Sequence, residues 1–339
     1  MRNIKILLIL IFSLFLIFTT ISSVIGQNEK ENTICPCNIL KSSFEGSSDD
    51  IFSLMIHRFR IRSYWTHVPS NYDDGSAVPL VILLHSYGNN GWLFSIRSDM
   101  NIKSEQEGFI AVYPNGATFG DNKGWNAGFC CGPAMRQNID DVGFIKSVIE
   151  KTKRNYNIDE NRIYVAGFSN GAMMTNRFAS EYSEDLAAIA VVDGSVGGII
   201  SDFRPLWVIP EPSEPLPVII FHGTDDHLIP FEGGRRQCAN PLGCMLLPIF
   251  LPVNESVSFW VEHNKCDSEP NIKIIADENV IIRNYTNGTN DSEVIFYTVL
   301  NGGHWWFGGS WLPNRNNDPY NYISTADIVW DFFENHTKI

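Results

Sequence analysis

The chain has 339 residues, 44% hydrophobic and 19% charged, enough apolar material for one large globular domain or two small ones. Its formal net charge of -13, from 25 Lys and Arg against 38 Asp and Glu, argues against a nucleic-acid or anionic-membrane surface, and no basic cluster overrides that sum.

Arg2 and Lys5 open an apolar run from Ile6 to Phe18, and small residues follow, with Val24 and Gly26 at signal-peptidase spacing. Residues 1–26 therefore read as a secretory signal cleaved before Gln27, leaving no membrane attachment; the alternative is an uncleaved anchor extended to Ile25. Residues 27–50 are polar and read as a poorly ordered lead-in, and residues 51–339 as the folded domain. Sequons at Asn254, Asn284, Asn287, Asn290 and Asn335 support secretion independently. Three of them crowd into residues 284–292, which predicts an exposed loop or hairpin tip there. An oxidising compartment makes the seven cysteines disulfide candidates. Cys238 and Cys244 could close a local loop and Cys130 or Cys131 could reach Cys266, with the connectivity left open. Cys35-Pro-Cys37 has no downstream partner pair, so no metal site is expected.

Along the folded part, alternation from Leu54 to Val68 predicts one or two antiparallel edge strands. Val78 to His85 is a continuous apolar run, the mark of a strand buried on both faces. A helix from Phe94 to Glu107 and a strand from Phe109 to Tyr113 complete a crossover unit. Gly120 to Arg136 is irregular, and Asp140 to Ile149 has helical spacing with acidic residues in its first turn. A strand from Arg162 to Ala166 leads into Gly167-Phe-Ser169-Asn-Gly171, and a helix follows. Leu186–Val192, Val218–His222 and Glu293–Leu300 read as further strands, with helices around Trp260 and from Ala326 to Phe333. Ser195–Pro217 and Phe231–Pro252 read as surface excursions. Strands and helices alternate, so the class is α/β with a mostly parallel central sheet and helices on both faces.

Gly-x-Ser-x-Gly between a strand and a helix is a nucleophile elbow, in which a sharp turn projects the serine hydroxyl above the sheet. A serine needs a base to take its proton and an acid to hold the base's tautomer. Downstream of Ser169 the order acid, then histidine, recurs: Asp225 and Asp226 follow one strand, and His304 follows another. His222 and His227 are competing bases, and spacing does not choose between the two aspartates. The oxyanion donors expected for acyl transfer are the amide of Asn170 and that of Ser86 or Tyr87, in the loop after His85. Trp125, Trp305 and Trp306 lie near these loops as substrate-binding candidates, with core packing the alternative. No cofactor is required by such chemistry.

Gly124–Gly132, Asp140–Ile145, Gly167–Met174, His222–Pro230 and Gly302–Trp306 together resemble, in order and spacing, the secreted polyhydroxybutyrate depolymerase and feruloyl esterase branch of the α/β-hydrolases, from about Ser53 to about Phe333. The resemblance implies the α/β-hydrolase fold. It also implies a Ser169, His304 and Asp226 triad, with Asp226 selected over Asp225 by the His-Gly-Thr-x-Asp pattern. The substrates it implies are hydroxycinnamoyl or carbohydrate esters, or polyhydroxyalkanoate chains. Two departures stand out. His85-Ser86 replaces the family's His-Gly in the donor loop, and Trp305-Trp306-Phe307 replaces Thr-Trp-Pro, which makes the expected rim more aromatic. The rival readings are a non-catalytic binding protein on the same scaffold, or a peptidase or thioesterase of that fold.

Overall fold

A computed structural model describes residues 50–119, 122–201, 204–236, 247–310 and 318–338. The leader and nearly all of the lead-in, with Cys35, Cys37, Cys238 and Cys244, lie outside the described residues. Successive elements are β1 (Asp50–His57), β2 (Arg60–His67), β3 (Val78–Leu84), α1 (Gly91–Arg97), α2 (Met100–Glu107), β4 (Ile110–Pro114), β5 (Ala117–Phe119), β6 (Asn122–Gly124), α3 (Gly132–Arg136), α4 (Asp141–Asn155) and β7 (Ile158–Phe168). There follow α5 (Asn170–Tyr182), β8 (Ala188–Val192), β9 (Gly197–Ile199), β10 (Leu206–Val208), β11 (Val218–Gly223), β12 (Ile249–Phe250), α6 (Val253–Asn264), β13 (Asn271–Ile275), β14 (Val280–Tyr285), β15 (Val294–Val299) and α7 (Thr325–Glu334).

Ten strands form one sheet in the order β1-β2-β4-β3-β7-β8-β11-β15-β14-β13. From β4 to β15 every pairing is parallel. The period of two decides which core each side chain joins. In β3, Leu80, Ile82 and Leu84 pack with residues of α4, α5 and α6, such as Val148, Phe178 and Trp260. Val81 and Leu83 turn the other way, to Phe94 of α1, Met100 of α2 and Val329 of α7. Helices therefore cover both faces, which is why the central strands are apolar throughout.

One edge of the sheet is as expected and the other is not. β1 and β2 form the predicted antiparallel edge, but a second antiparallel hairpin, β13 and β14, closes the other side. Its first strand, NIKII, is mostly exposed and its second, VIIRNY, half-buried, and both mix polar residues into the apolar pattern, which hides them in the sequence. The helix expected from Phe94 to Glu107 is two helices. Asp99 takes a left-handed φ of 59°, and the carbonyl of Ser98 accepts the indole N–H of Trp306 at 3.0 Å. That tertiary bond forms at the carbonyl where the helix stops. The excursion from Ser195 carries β9 and β10, which form a small sheet with β12.

The sequons divide. Asn254, Asn287, Asn290 and Asn335 are exposed. Asn284 is instead inside β14, half-buried and paired with Asn271 and Ile295, so the tip expected over residues 284–292 begins only after Tyr285. Among the described residues no helix is long and apolar enough to cross a membrane.

Candidate active site

Ser169 stands between β7 and α5 with φ 59° and ψ -121°, a conformation that costs energy for a residue with a Cβ and persists only where its surroundings impose it. Its N–H donates to Val192 O at the end of β8, 2.9 Å away. The crossing of strand and helix is tight. A Cβ at Gly167 would enter the carbonyl of Gly171, and one at Gly171 would enter the carbonyl of Leu84. Gly171→Ala is therefore expected to cost about 1–3 kcal/mol by overpacking, read as a lower urea midpoint at unchanged slope.

The loops after β11 and β15 bring an acid and an imidazole together. His304 Nδ1 lies 2.7 Å from Asp226 Oδ2, and the ring packs on Phe168 with centroids 4.9 Å apart. Asp226 Oδ1 accepts the N–H groups of Leu228 and Ile229, at 2.8 and 2.9 Å. Burial pushes this carboxyl up, but hydrogen bonds with His222 and His304 outweigh it and hold Asp226 below the usual carboxylate range. The ionised acid then favours the Nδ1–H tautomer of His304, which leaves Nε2 unprotonated. Asp225 is exposed and faces His227, away from this pair. His222 is fully buried, its Nε2 bonded to Ile229 O at 2.9 Å, so it braces the acid loop.

One neighbour of this pair escaped the sequence. Asp193, after β8, is fully buried with a left-handed φ of 48°, and its Oδ2 lies 3.8 Å from His304 Nδ1. It accepts the N–H of Trp305 at 2.7 Å and that of Gly223 at 3.3 Å, tying the base loop to the acid strand. Burial, then the charge of Asp226, push the Asp193 carboxyl well above its ordinary value. The only sequence signal was an aspartate ending a buried apolar strand in Val191-Val-Asp-Gly. Asp193, His222 and Asp226 each offer a ligand atom within 4.8 Å of the others. Every carboxylate oxygen there already takes an N–H, which suits the cluster to holding an imidazole rather than a cation.

The donor loop is held from beneath. His85 is fully buried; its Nδ1 bonds Ser86 O at 2.8 Å and its Nε2 accepts the N–H of Gly116 at 2.9 Å. Accepting at Nε2 requires the neutral ring, and burial lowers its pKa to about 4. A folded-state pKa below the unfolded value of about 6.5 means that stability is full above about pH 6.5 and is lost as pH falls towards 4. The contribution is about 3 kcal/mol. A His85→Gln variant should show a flatter dependence of unfolding free energy on pH across that window.

Trp125, expected to contact substrate, is instead fully buried and does not line the cleft. Its Nε1 donates to His85 O at 2.8 Å, while its N–H and carbonyl are gripped by the side chain of Asn170, at 2.8 and 3.2 Å. Its partners are internal, and they hold the ring away from the rim. Asn170 is buried at the first position of α5, where a backbone N–H has no intrahelical acceptor. Tyr87 lies over Gly124 and Gly132, both of which need to lack a Cβ there.

Ser169, Asn170, Ser86, Tyr87 and His304 line one cleft of about 990 Å3. Trp305 and Trp306 line it too; Trp306 is nearly buried, and Trp305 sits edge-on to Tyr320 with centroids 5.6 Å apart. Cys130 and Cys131 also line it and are disulfide-bonded to each other, so neither takes the link to Cys266 that the sequence had left open. Cys266 is a free thiol beside Ser292, and burial pushes its pKa up to about 11.

The family model described as esterase PHB depolymerase matches residues 63–226. The chain is 27% identical over 237 residues to feruloyl esterase B of Piromyces equi, covering 70% of this chain and 41% of that protein. It is 26% identical over 184 residues to feruloyl esterase C of Emericella nidulans, covering 53% of this chain and 60% of that one. It thus spans less than two thirds of the length of these curated relatives. Among solved structures it resembles an acetyl xylan esterase from Aspergillus awamori, with TM-score 0.54 and 19% identity over 80% of this chain and 94% of that one. It also resembles a ferulic acid esterase from Anaeromyces mucronatus in complex with ferulic acid, with TM-score 0.50 and 14% identity over 92% of this chain and 99% of the other.

Proposed function

We propose that this chain, an α/β-hydrolase similar to the polyhydroxybutyrate depolymerase and feruloyl esterase branch, is a secreted serine carboxylesterase. The observation that carries the reading is the elbow serine sharing a cleft with a histidine whose Nδ1 is bonded to a buried carboxylate at 2.7 Å. In this reading Ser169 Oγ attacks the ester carbonyl while His304 Nε2 takes its proton, and Asp226 stabilises the imidazolium. The N–H of Asn170, with that of Ser86 or Tyr87, receives the oxyanion. His304 returns the proton to the leaving alcohol. Water, deprotonated by the same imidazole, then releases the acid.

The cleft suits an apolar or aromatic ester, because Phe129, Met173, Phe250 and Trp305 all face it. Its relatives' names support hydroxycinnamoyl or acetyl esters on polysaccharide, and the matching family model supports polyhydroxyalkanoate chains. A fluorophosphonate probe should label Ser169, and ferulate release against soluble hydroxybutyrate oligomers should separate the two substrate classes. A folded protein that is neither labelled nor active on short nitrophenyl esters rules the reading out. Secretion is supported by the leader pattern and by the four exposed sequons. Expression in a eukaryotic host should give glycan at Asn254, Asn287, Asn290 or Asn335, while Asn284, half-buried in its strand, stays unmodified.

A further inference from the structure

The chain carries 38 Asp and Glu against 25 Lys and Arg, yet apart from His304 the titratable charges facing the cleft are Arg97, Arg136 and Arg236. No carboxylate lines it among the described residues. Arg136 ends α3, the short helix that follows the Cys130–Cys131 pair. Arg236 follows Gly234, which bridges to Phe250. Both side chains are exposed, and neither makes an ion pair or hydrogen bond with another described residue. Several arginines outside the cleft are matched locally: Arg62 to Asp141, Arg162 to Asp159 and Arg177 to Glu181. Among the described residues the cleft thus keeps two guanidinium groups without an acidic partner, in a protein that has an excess of carboxylates.

We propose that Arg136 and Arg236 form an anion-recognition edge of the cleft, and that the preferred substrate is an ester carrying a second carboxylate that does not react. The proposal rests on the esterase reading above and deepens it. A guanidinium presents paired N–H donors that fit a carboxylate, where an ammonium would act as a point charge. At physiological salt the Debye length is about 8 Å, so the chain's remote negative charge is screened and the arginines beside a docked ester set the local field. The same lining carries Phe129, Met173, Leu228 and Ile229, which suits a hydrocarbon or aromatic body joining the ester to the anion. The carboxylate has two possible sources, the acyl chain's own free end or a uronate in the alcohol.

The test compares matched pairs. On the acyl side, the mono-4-nitrophenyl ester of suberic acid is set against its methyl 4-nitrophenyl diester. On the alcohol side, an acetylated glucuronoside is set against the acetylated glucoside. At least one anionic member should have a KM about fivefold below its neutral partner, the size expected of exposed ion pairs. The pair that shows the effect identifies the source. The ratio should fall to about one in Arg136→Gln/Arg236→Gln and shrink in about 0.5 M salt. Equal KM values within both pairs, or a preference that survives the double substitution, overturns the proposal. Binding keeps the question separate from turnover. Calorimetric titration of Ser169→Ala with monomethyl suberate and with methyl glucuronoside should show at least one anion bound, about fivefold more weakly once both arginines are replaced. Loss of turnover alone, with this binding intact, would count against the triad and not against the anion edge.

Discussion

Replacing Ser169 with alanine is expected to lower kcat/KM on a short nitrophenyl ester by about 100,000-fold or more, as removal of the nucleophile does in other triad enzymes. The substitution tests chemistry and little else. Alanine fills the same space and keeps the Cβ, so the φ of 59° is no more strained than before, and the N–H to Val192 O bond survives. The variant should therefore unfold at the wild-type urea midpoint, lose fluorophosphonate labelling, and retain substrate binding. Activity within tenfold of wild type would mean that another group attacks the ester, and the reading of the elbow would be wrong.

The elbow was legible because its requirements are local. A β-branched strand, a small residue on either side of a serine and a helix-forming run can be recognised without knowing what lies elsewhere. The continuous apolar run of Val78–Leu84 was legible for the same reason, and the cores on both faces of the sheet follow from it. Long-range features left weaker marks. Asp193 sits one residue past a buried strand, where an aspartate is commonest as a turn-former, and only the folded chain brings it to 3.8 Å from His304. Trp125 looked like a rim residue because it lies in an irregular, glycine-rich segment. The Asn170 and His85 contacts that draw it inward come from two other parts of the chain. The cysteines failed for a related reason: spacing does not favour adjacent residues as a pair, and Cys266 is close to Ser292 rather than to either of them. The His85-Ser86 departure in the donor loop proves compatible with an ordered loop, since His85 bonds the Ser86 carbonyl through its ring.

Two buried carboxylates beside one histidine should give opposite results when each is made an amide. Asp226→Asn removes the charge that holds His304 in the Nδ1–H tautomer, and kcat should fall about 10,000-fold, as in other triads. Asp193 is the member of the pair whose pKa is raised. Burial and the neighbouring Asp226 charge both raise its pKa, so its carboxyl stays neutral at pH values well above those at which an ordinary aspartate ionises. An amide of the same shape resembles that neutral acid, and Asp193→Asn should keep kcat within about tenfold of wild type. Its linkage has the opposite sign to that of Asp226. A raised folded-state pKa contributes stability that is full below the unfolded value and is lost as pH rises, whereas the lowered pKa of Asp226 contributes stability that is lost as pH falls. Asp193→Asn should accordingly raise stability relative to wild type at alkaline pH. Asp193→Leu separates scaffold from charge, because it leaves the N–H groups of Trp305 and Gly223 buried without acceptors, at about 1–3 kcal/mol each. If Asp193→Asn instead loses activity as severely as Asp226→Asn at an unchanged urea midpoint, Asp193 is ionised and shares the imidazolium with Asp226. The acid of the triad would then be a pair of residues.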